Sequence, residues 1–232
     1  MCGIVGYVGH DNARDIIIDG LKKLEYRGYD SAGIALQNKG QIIVRKRQGK
    51  IANLEEAIAG EDLYGNTGIG HTRWATHGAP SDSNAHPHIN GDGSIAVVHN
   101  GIVENYVELK EWLSEEYGVV FRTETDTEVI AHLIGVLKKT TLEDAVYEAV
   151  KMMRGAYAIV VLAKDEPGKI VAYRKDAPLI AGLGKGGNFV ASDIPALLKY
   201  LNKIYLVENN EMLICTPEQI QILDQDRKQV KR

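Results

Sequence analysis

The chain begins Met1-Cys2-Gly3-Ile4-Val5-Gly6, and residues 3–9 alternate and end in glycine, a pattern typical of a strand. The initiator methionine is normally removed when the next residue is small. Removal would leave Cys2 with a thiol of pKa about 8.5 and an α-amine of pKa about 7.7–8.0. A nucleophile and a base would then share one residue. By itself, however, Cys2 can equally be the plain start of a buried strand.

The overall composition excludes several classes of protein. With 232 residues, 44% hydrophobic and 25% charged, the chain resembles an ordinary globular protein. A net charge of -4 with scattered Lys and Arg gives no basis for nucleic-acid binding. Neither a membrane span nor a signal peptide is predicted. Two cysteines, Cys2 and Cys215, form no disulfide framework, so a cytoplasmic location is expected.

The periodicity predicts many short strands and several amphipathic helices. A first helix, capped by Asp11 or Asn12, should run to about Tyr26. Further helices are expected at residues 51–58, 104–117, 127–138, 142–153 and 194–200. Strands are expected at residues 3–9, 31–37, 41–47, 94–99, 156–163, 170–174, 179–183, 188–191, 204–208, 211–215 and 219–223. A loop-rich stretch is expected at residues 60–93.

These elements predict an α+β fold. Short strands joined by turns favour antiparallel sheets, which four or five amphipathic helices could cover on both sides. One domain should extend over residues 1–223. Residues 224–232 are polar and charged, and we expect them to be a linker or tail.

One glycine-rich run resembles a nucleotide-binding motif by letter only. Gly182-Leu183-Gly184-Lys185-Gly186-Gly187 fits G-x-G-x-x-G. A dinucleotide site requires a helix to open at the end of this run, where its N-terminus meets the pyrophosphate. Residues 188–191 are predicted to be a strand instead, so the run is interpreted as a hairpin turn.

Polar side chains concentrate in His71-Thr72-Arg73-Trp74-Ala75-Thr76-His77-Gly78, which is predicted to be a loop. The planar guanidinium of Arg73 is suited to binding a carboxylate through two hydrogen bonds. Five of the seven histidines lie in one span, which raises the possibility of a metal site: His71, His77, His86, His88 and His99. No cysteine or carboxylate cluster joins them at a recognised ligand spacing, so no metal is predicted.

Two further short motifs have both structural and functional interpretations. Asn100-Gly101 follows a predicted strand, and it is either a tight turn or a pair of donors for a developing oxyanion. Asp126 precedes an apolar helix, where a carboxylate either caps the helix or binds a ligand's ammonium group. Each motif alone leaves both interpretations open.

Taken together, six stretches resemble class II glutamine amidotransferases, which are N-terminal nucleophile hydrolases. They are residues 2–6, 27–33, 71–78, 84–88, 99–101 and 124–126, in the family's order over essentially the whole chain. The discriminating strings are Leu24-Glu25-Tyr26-Arg27-Gly28-Tyr29-Asp30-Ser31-Ala32-Gly33 and residues 71–78. They resemble the glutaminase domains of glucosamine-6-phosphate synthases. Amidophosphoribosyltransferases, glutamate synthases and asparagine synthetases share only looser versions.

The resemblance implies a fold and a reaction. The fold is a four-layer αββα sandwich of two antiparallel sheets between helical layers. The reaction is the hydrolysis of L-glutamine to glutamate and ammonia through a thioester, with no cofactor and no metal. Complete enzymes continue into sugar-phosphate isomerase domains that bind fructose-6-phosphate, and the full-length form is implied to be a homo-oligomer. This chain by itself should release ammonia to solvent.

The resemblance also implies a role for each motif residue. Cys2 is the nucleophile once Met1 is lost, and its α-amine is the base. Asn100 and Gly101 form the oxyanion hole. Arg73 binds the α-carboxylate of the substrate and Asp126 binds its α-ammonium group. The substrate-binding residues are Arg73, Trp74, Thr76, His77 and Asp126. Trp74 belongs to a mobile loop that closes on glutamine and gates ammonia. Arg27 and His86 are supporting residues, with the Arg27 cation favouring the Cys2 thiolate.

Three other functions remain open at this point. The chain could be the glutaminase domain of another class II amidotransferase, or a Cys–His thiol hydrolase with a loop histidine as base. It could also be a glutamine- or sugar-sensing binding module without catalysis.

Overall fold

The computed structural model describes residues 2–232, so the hypothesis that Met1 is removed concerns a residue outside the described part of the chain. The first sheet has seven strands: β1 (Gly3–Gly9), β2 (Ser31–Asn38), β3 (Gln41–Gln48), β4 (Thr67–Arg73), β9 (Ile180–Gly184), β10 (Gly187–Ala191) and β11 (Leu201–Leu206). They are ordered β11-β9-β10-β1-β4-β2-β3, and every neighbouring pair is antiparallel.

The second sheet has six strands: β5 (His88–Ile89), β6 (Ile95–Val103), β7 (Gly155–Ala163), β8 (Ile170–Lys175), β12 (Glu211–Cys215) and β13 (Ile220–Leu223). Their order is β13-β12-β8-β7-β6-β5, again with antiparallel neighbours. The short strand β5 pairs with β6 only at Ala96 and Val97. The rest of that edge of β6 is therefore open to other partners.

Helices cover the outer face of each sheet. The helices are α1 (Ala13–Lys22), α2 (Ile51–Ile58), α3 (Tyr106–Tyr117), α4 (Asp126–Leu137) and α5 (Leu142–Met152). Helices α1 and α2 share a core with the seven-stranded sheet, and α3, α4 and α5 share one with the six-stranded sheet. A third core, with Ile4, Ile69 and Val98 at its centre, lies between the sheets. The αββα sandwich is confirmed.

Strand β4 lies in the middle of the first sheet, within the stretch that was predicted to be loop-rich. Its glycines have low strand propensity, so the periodicity of the sequence did not predict this strand. Close packing explains why glycines occur here. A Cβ at Gly70 would lie 2.3 Å from Ile17 Cγ2 on α1, and a Cβ at Gly68 would lie 2.8 Å from Ile17 Cδ1. The glycines thus let α1 pack against the sheet, and the loop prediction was wrong for residues 67–73.

Several element boundaries also differ from prediction. The predicted helix over residues 194–200 is only a 3₁₀ turn, Ile194–Ala196, with a proline inside it, and the strand β11 begins at Leu201. Helix α1 ends at Lys22, and a separate 3₁₀ turn, Glu25–Arg27, follows. The glycine-rich run is confirmed as a hairpin turn, since it joins β9 to β10.

Residues 224–232 contact the six-stranded sheet. The Val230 amide donates to the Ile222 carbonyl at 2.8 Å, and the Arg232 guanidinium pairs with Glu211 at 2.6 Å. Val230 also packs against the core between the sheets. This segment is therefore held on the domain surface, while the domain boundary after residue 223 stays a prediction.

Candidate functional site

A cavity of about 500 Å³ opens where the two sheets meet. All ten residues that the resemblance assigned to the site line it: Cys2, Arg27, Arg73, Trp74, Thr76, His77, His86, Asn100, Gly101 and Asp126. One side belongs to the seven-stranded sheet and consists of Cys2, Arg27, Arg73 and Trp74, which we call the nucleophile wall. The opposite side, the donor wall, consists of His99, Asn100, Gly101 and Asp126, on β6 and at the start of α4.

Cys2 directly precedes β1 and is half-buried at the cavity. Its Sγ accepts a hydrogen bond from the Trp74 amide at 3.2 Å and lies 3.5 Å from the Trp74 carbonyl oxygen. Burial raises the pKa of the Cys2 thiol, against the lowering effects of that amide and of the Arg73 cation. The thiol is therefore held in position but requires a base to become a strong nucleophile.

Arg27 lies beside Cys2, as predicted, but acts on its backbone. The guanidinium Nη1 donates to the Cys2 carbonyl and to the Ser192 hydroxyl, each at 3.1 Å, and Nη2 lies 3.4 Å from the Asp193 carboxylate. That the Arg27 cation favours the Cys2 thiolate stays a prediction, while burial is the main cause of the raised pKa of the thiol. The guanidinium also anchors the start of β1.

Arg73 ends β4 and is only 4% exposed. Its Nη2 donates to the carbonyls of His77 and Gly78, which orders the following loop. Its Nη1 has no hydrogen-bond acceptor among residues 2–232, the Asp30 carboxylate lying 4.0 Å away. A buried charged donor without an acceptor is costly, and a carboxylate in the cavity would satisfy it.

Trp74, Thr76 and His77 form the rim of the cavity. Trp74 is 55% exposed, and its ring lies over Gly28, where a Cβ would approach the ring to 2.9 Å. The His77 ring contacts Thr76 Oγ1 through Nδ1 at 3.3 Å and meets the Tyr106 ring edge-on. These side chains are accessible from solvent and from the cavity.

Asn100 and Gly101 lie within β6, because the strand continues to Val103 rather than ending in the predicted turn. N–H groups alternate between the two edges of a strand, so those of His99, Gly101 and Val103 share the edge that faces away from β7. The His99 amide donates to His86 Nδ1 at 3.3 Å and the Val103 amide to Asp126 Oδ2 at 2.9 Å. The Gly101 amide lies between them, at the cavity.

The Asn100 side chain bridges the two walls. Its Nδ2 donates to the Cys2 carbonyl at 3.3 Å, and its Oδ1 lies 2.9 Å from His71 Nε2. The amide N–H group and the Gly101 N–H thus reach the cavity from neighbouring residues. Such a pair of donors suits an oxygen that becomes negatively charged during a reaction.

Asp126 is the first residue of α4 and is 4% exposed. Thr125, not Asp126, caps the helix, since its hydroxyl accepts from the Glu128 amide. The Oδ2 of Asp126 is used by Val103, whereas Oδ1 has longer contacts, 3.4 Å to Thr127 Oγ1 and 3.8 Å to His99 Nδ1. A carboxylate oxygen is thus left for a cationic group in the cavity.

The buried histidines stack beneath the donor wall. The rings of His71 and His86 lie 4.1 Å apart, and burial lowers the pKa of His86 and of His99 below its usual value. They are therefore neutral at pH 7. Across residues 2–232, no group of three or more His, Cys, Asp or Glu side chains is placed to bind a metal.

Three residues at or near the site had no predicted role. Asp30 accepts from the Ala75 amide at 2.5 Å and so fixes the loop after Arg73. Thr127 links His86, His99 and Asp126 through its hydroxyl. His71 contacts Asn100. Asp30 and His71 belong to the two discriminating strings, residues 24–33 and 71–78, but the sequence pattern could not predict their hydrogen-bond partners.

Comparisons with known proteins identify sequence relatives of this chain. A family model described as a glutamine amidotransferase domain matches residues 71–199. The glutamine–fructose-6-phosphate aminotransferase (isomerizing) of Clostridium tetani is 53% identical over 232 residues, which is 100% of this chain and 38% of that protein. That of Aquifex aeolicus is 54% identical over 222 residues, 96% of this chain and 37% of that protein.

Solved structures show the same fold. The glutamine phosphoribosylpyrophosphate amidotransferase of B. subtilis, solved with ADP and GMP, superposes with a TM-score of 0.83 at 31% identity, covering 98% of this chain and 50% of that chain. A class-II glutamine aminotransferase domain protein from Silicibacter pomeroyi has a TM-score of 0.67 at 15% identity, covering 96% of this chain and 99% of its own, a likeness of fold alone.

Proposed function

The chain belongs to the glutamine amidotransferase family, and on that premise we propose that it hydrolyses L-glutamine to glutamate and ammonia with Cys2 as the nucleophile. One observation carries the proposal. The Arg73 Nη1 group without an acceptor, the available Asp126 oxygen and the Cys2 thiol line a single cavity. Glutamine has a carboxylate, an ammonium group and an amide, and the cavity offers a partner for each.

The proposed reaction begins with attack of the Cys2 sulfur on the side-chain amide carbon. The amide oxygen becomes an oxyanion, which the Asn100 Nδ2 and Gly101 N–H groups stabilise. Ammonia leaves as a thioester forms, and water then cleaves the thioester to release glutamate. The α-amine that Met1 removal would free is the proposed base, because the raised pKa of the thiol leaves little thiolate at neutral pH.

The remaining residues are proposed to bind and enclose the substrate. Thr76 and His77 assist Arg73 at the α-carboxylate. Trp74, exposed at the rim, is proposed to close over glutamine and to gate ammonia. Arg27 supports the site by holding the Cys2 backbone, and His86 by packing under the donor wall.

The whole protein's activity is a separate proposal. The chain spans about 38% of the length of the curated relatives it matches. We propose that its ammonia serves the amination of fructose-6-phosphate by isomerase domains joined after residue 223, in a cytoplasmic homo-oligomer. No helix in residues 2–232 is long and apolar enough to cross a membrane.

A Cys–His hydrolase is less well supported. Such an enzyme needs a ring nitrogen in hydrogen-bond contact with the thiol. Here the hydrogen bonds described for the Cys2 sulfur go to the Trp74 backbone.

The test combines intact mass with ammonia release from glutamine. Protein without Met1 should be active, whereas a variant with one residue retained ahead of Cys2 should lose activity because the amine is blocked. Cys2→Ala should lose at least about 10⁴-fold in kcat, as expected for loss of a nucleophile. It should still bind glutamate.

The matched control is Cys215→Ala, since that cysteine is buried in β12 and does not line the cavity. It should keep full kcat. Methionine-free protein that releases no ammonia would refute the proposed function. Retained activity with a blocked amine would instead favour a histidine base.

A further inference from the structure

His71 lies on β4 beneath the cavity and does not line it. The residue is fully buried, and its Nε2 lies 2.9 Å from the Oδ1 of Asn100. The contact joins the seven-stranded sheet to the six-stranded sheet directly behind the proposed oxyanion donors. Its proximity to Asn100, without access to the cavity, indicates an action through that residue.

A side-chain amide has a donor end and an acceptor end that differ little in shape. Asn100 can stabilise an oxyanion only while its Nδ2 faces the cavity, where it also donates to the Cys2 carbonyl. Rotation by half a turn would present Oδ1 to the cavity and to that carbonyl, and both contacts would become repulsive. Whatever binds Oδ1 from behind therefore decides which end reaches the substrate.

The ring of His71 can supply that binding only in one tautomer. A neutral imidazole carries one N–H, and a bond to Oδ1 requires the proton on Nε2. Burial lowers the pKa of His71 to about 3, so the ring is neutral at pH 7. Its Nδ1 makes no hydrogen bond of standard geometry among residues 2–232, so the contact of Nε2 with Asn100 Oδ1 is the one that selects the tautomer.

The orientation of the His71 ring is held by its neighbour. The His86 ring stacks on it with an interplanar angle of 16°. His86 is itself fixed at both nitrogens, since Nδ1 accepts from the His99 amide and Nε2 lies 3.3 Å from Thr127 Oγ1. The stack leaves His71 little freedom to turn away from Asn100.

We propose that His71 is a positioning residue, which as the Nε2–H tautomer holds the Asn100 amide with its N–H group toward the reacting carbonyl oxygen. This role rests on the proposed function. It predicts an effect confined to the transition state, because the oxygen bears a full charge only there. Binding of glutamine itself should not depend on it.

The experiment measures glutamine hydrolysis by the Met1-free chain with two substitutions at this position. His71→Gln places an amide N–H close to where Nε2 lies and should keep kcat within about fivefold. His71→Met fills similar space without a donor and should lower kcat by about 10- to 100-fold at unchanged KM. This loss should not exceed the loss caused by Asn100→Ala, which removes the donor itself. Equal losses in both variants would overturn the proposal.

A double-mutant cycle with Asn100→Ala separates positioning from a general structural effect. If His71 acts through Asn100, the double variant should be no slower than Asn100→Ala alone. Additive losses would overturn the role of His71. The matched control is His132→Gln, a buried histidine on α4 outside the cavity, which should leave kcat and KM unchanged.

A measurement on the unsubstituted protein covers the case in which His71→Met does not fold. The ¹⁵N chemical shifts of the His71 ring should show a protonated Nε2 and a bare Nδ1 at pH 7. The opposite tautomer would overturn the proposal. An unsubstituted chain that releases no ammonia would refute the proposed function, whereas an active chain with additive losses would refute only the role of His71.

Discussion

The two walls of the cavity differ in how firmly they are held. Asn100, Gly101 and Asp126 of the donor wall lie inside a strand or in the first turn of a helix, and their neighbours bind them from behind. On the nucleophile wall, Cys2 directly precedes a strand, and Trp74 begins a loop and is 55% exposed.

This difference matches what each wall is proposed to do. Donors for an oxyanion are effective only if they are oriented before charge develops, since reorientation during the reaction would cost free energy. A substrate must also enter the cavity, and a loop with an exposed aromatic side chain can move aside for it. The rigid donors are therefore supplied by β6 and α4, whereas the adaptable part of the nucleophile wall is the loop that begins at Trp74.

Apart from loss of the Cys2 nucleophile itself, removing a donor from the rigid wall should have the largest effect. Asn100→Ala should lower kcat by about 10²- to 10³-fold, or roughly 2.7–4 kcal/mol in the barrier, with little change in KM. Steady-state ammonia release measures both constants. Asn188→Ala is the matched control, because Asn188 is a buried asparagine on β10 that donates to Thr216 instead. A rise in KM at constant kcat would mean that Asn100 only binds the ground state.

Loosening the segment before Asp126 should affect stability. Burial opposes ionisation of Glu128, but the His132 ring 3.7 Å away and hydrogen bonds from the Arg122 amide and from Thr123 outweigh it and lower the pKa to about 2. A pKa lower in the folded state than in the unfolded state stabilises the fold above pH ~4.5, and that stability is lost as the pH falls toward 2.

Glu128→Gln should therefore reduce the free energy of unfolding by roughly 2–3 kcal/mol at pH 7. The difference from the unsubstituted chain should shrink steadily between pH 4.5 and 2. Urea unfolding across this range measures it. Glu116→Gln, at an exposed position on α3, should stay within about 0.5 kcal/mol at every pH. A deficit that persists at pH 2 would contradict the assignment.

Disturbing the adaptable wall should have the smallest effect. Gly28 has φ +73°, and an added Cβ would press on the Trp74 ring at 2.9 Å. Gly93 has φ +69° with open space around it. Gly93→Ala should cost about 1 kcal/mol of stability, and Gly28→Ala about 1–3 kcal/mol, because its ψ of 143° lies outside the left-handed helical region. Only Gly28→Ala should change kcat or KM, by a few-fold. Identical kinetics would show that the Trp74 position does not matter.

Much of this fold was predictable because local patterns and packing agree. Residues 3–9 and 51–58 have the same bounds as predicted, and the apolar faces of α1, α4 and α5 account for their burial. The prediction failed where a tertiary contact decided the outcome. At Gly68 and Gly70 a Cβ would collide with neighbours such as Ile17, so glycine occurs in the strand despite its low strand propensity.

The candidate site divides in the same way. The family-like strings indicated ten site residues, and all ten line the cavity, although their roles remain proposals. Contacts between residues of different strands and sheets could not be predicted from the sequence. Asn100 lies in a strand because β6 pairs with β7 over this stretch. The hydrogen bond from Arg27 to the Cys2 carbonyl depends on the turn at Gly28. The raised pKa of Cys2 results from its burial, which no local pattern reveals.

Gly101 has a consequence for how this chain can vary. Its φ is +111°, and any Cβ would lie 2.1 Å from the Ala156 carbonyl oxygen on β7. A residue without a side chain is thus one of the least replaceable positions in β6. In a mutational scan scored on stability, position 101 should tolerate no substitution, whereas the neighbouring Ile102, which is 40% exposed although it also lines the cavity, should tolerate many. The restriction on substitutions at position 101 would come from backbone geometry and not from the chemistry of a side chain.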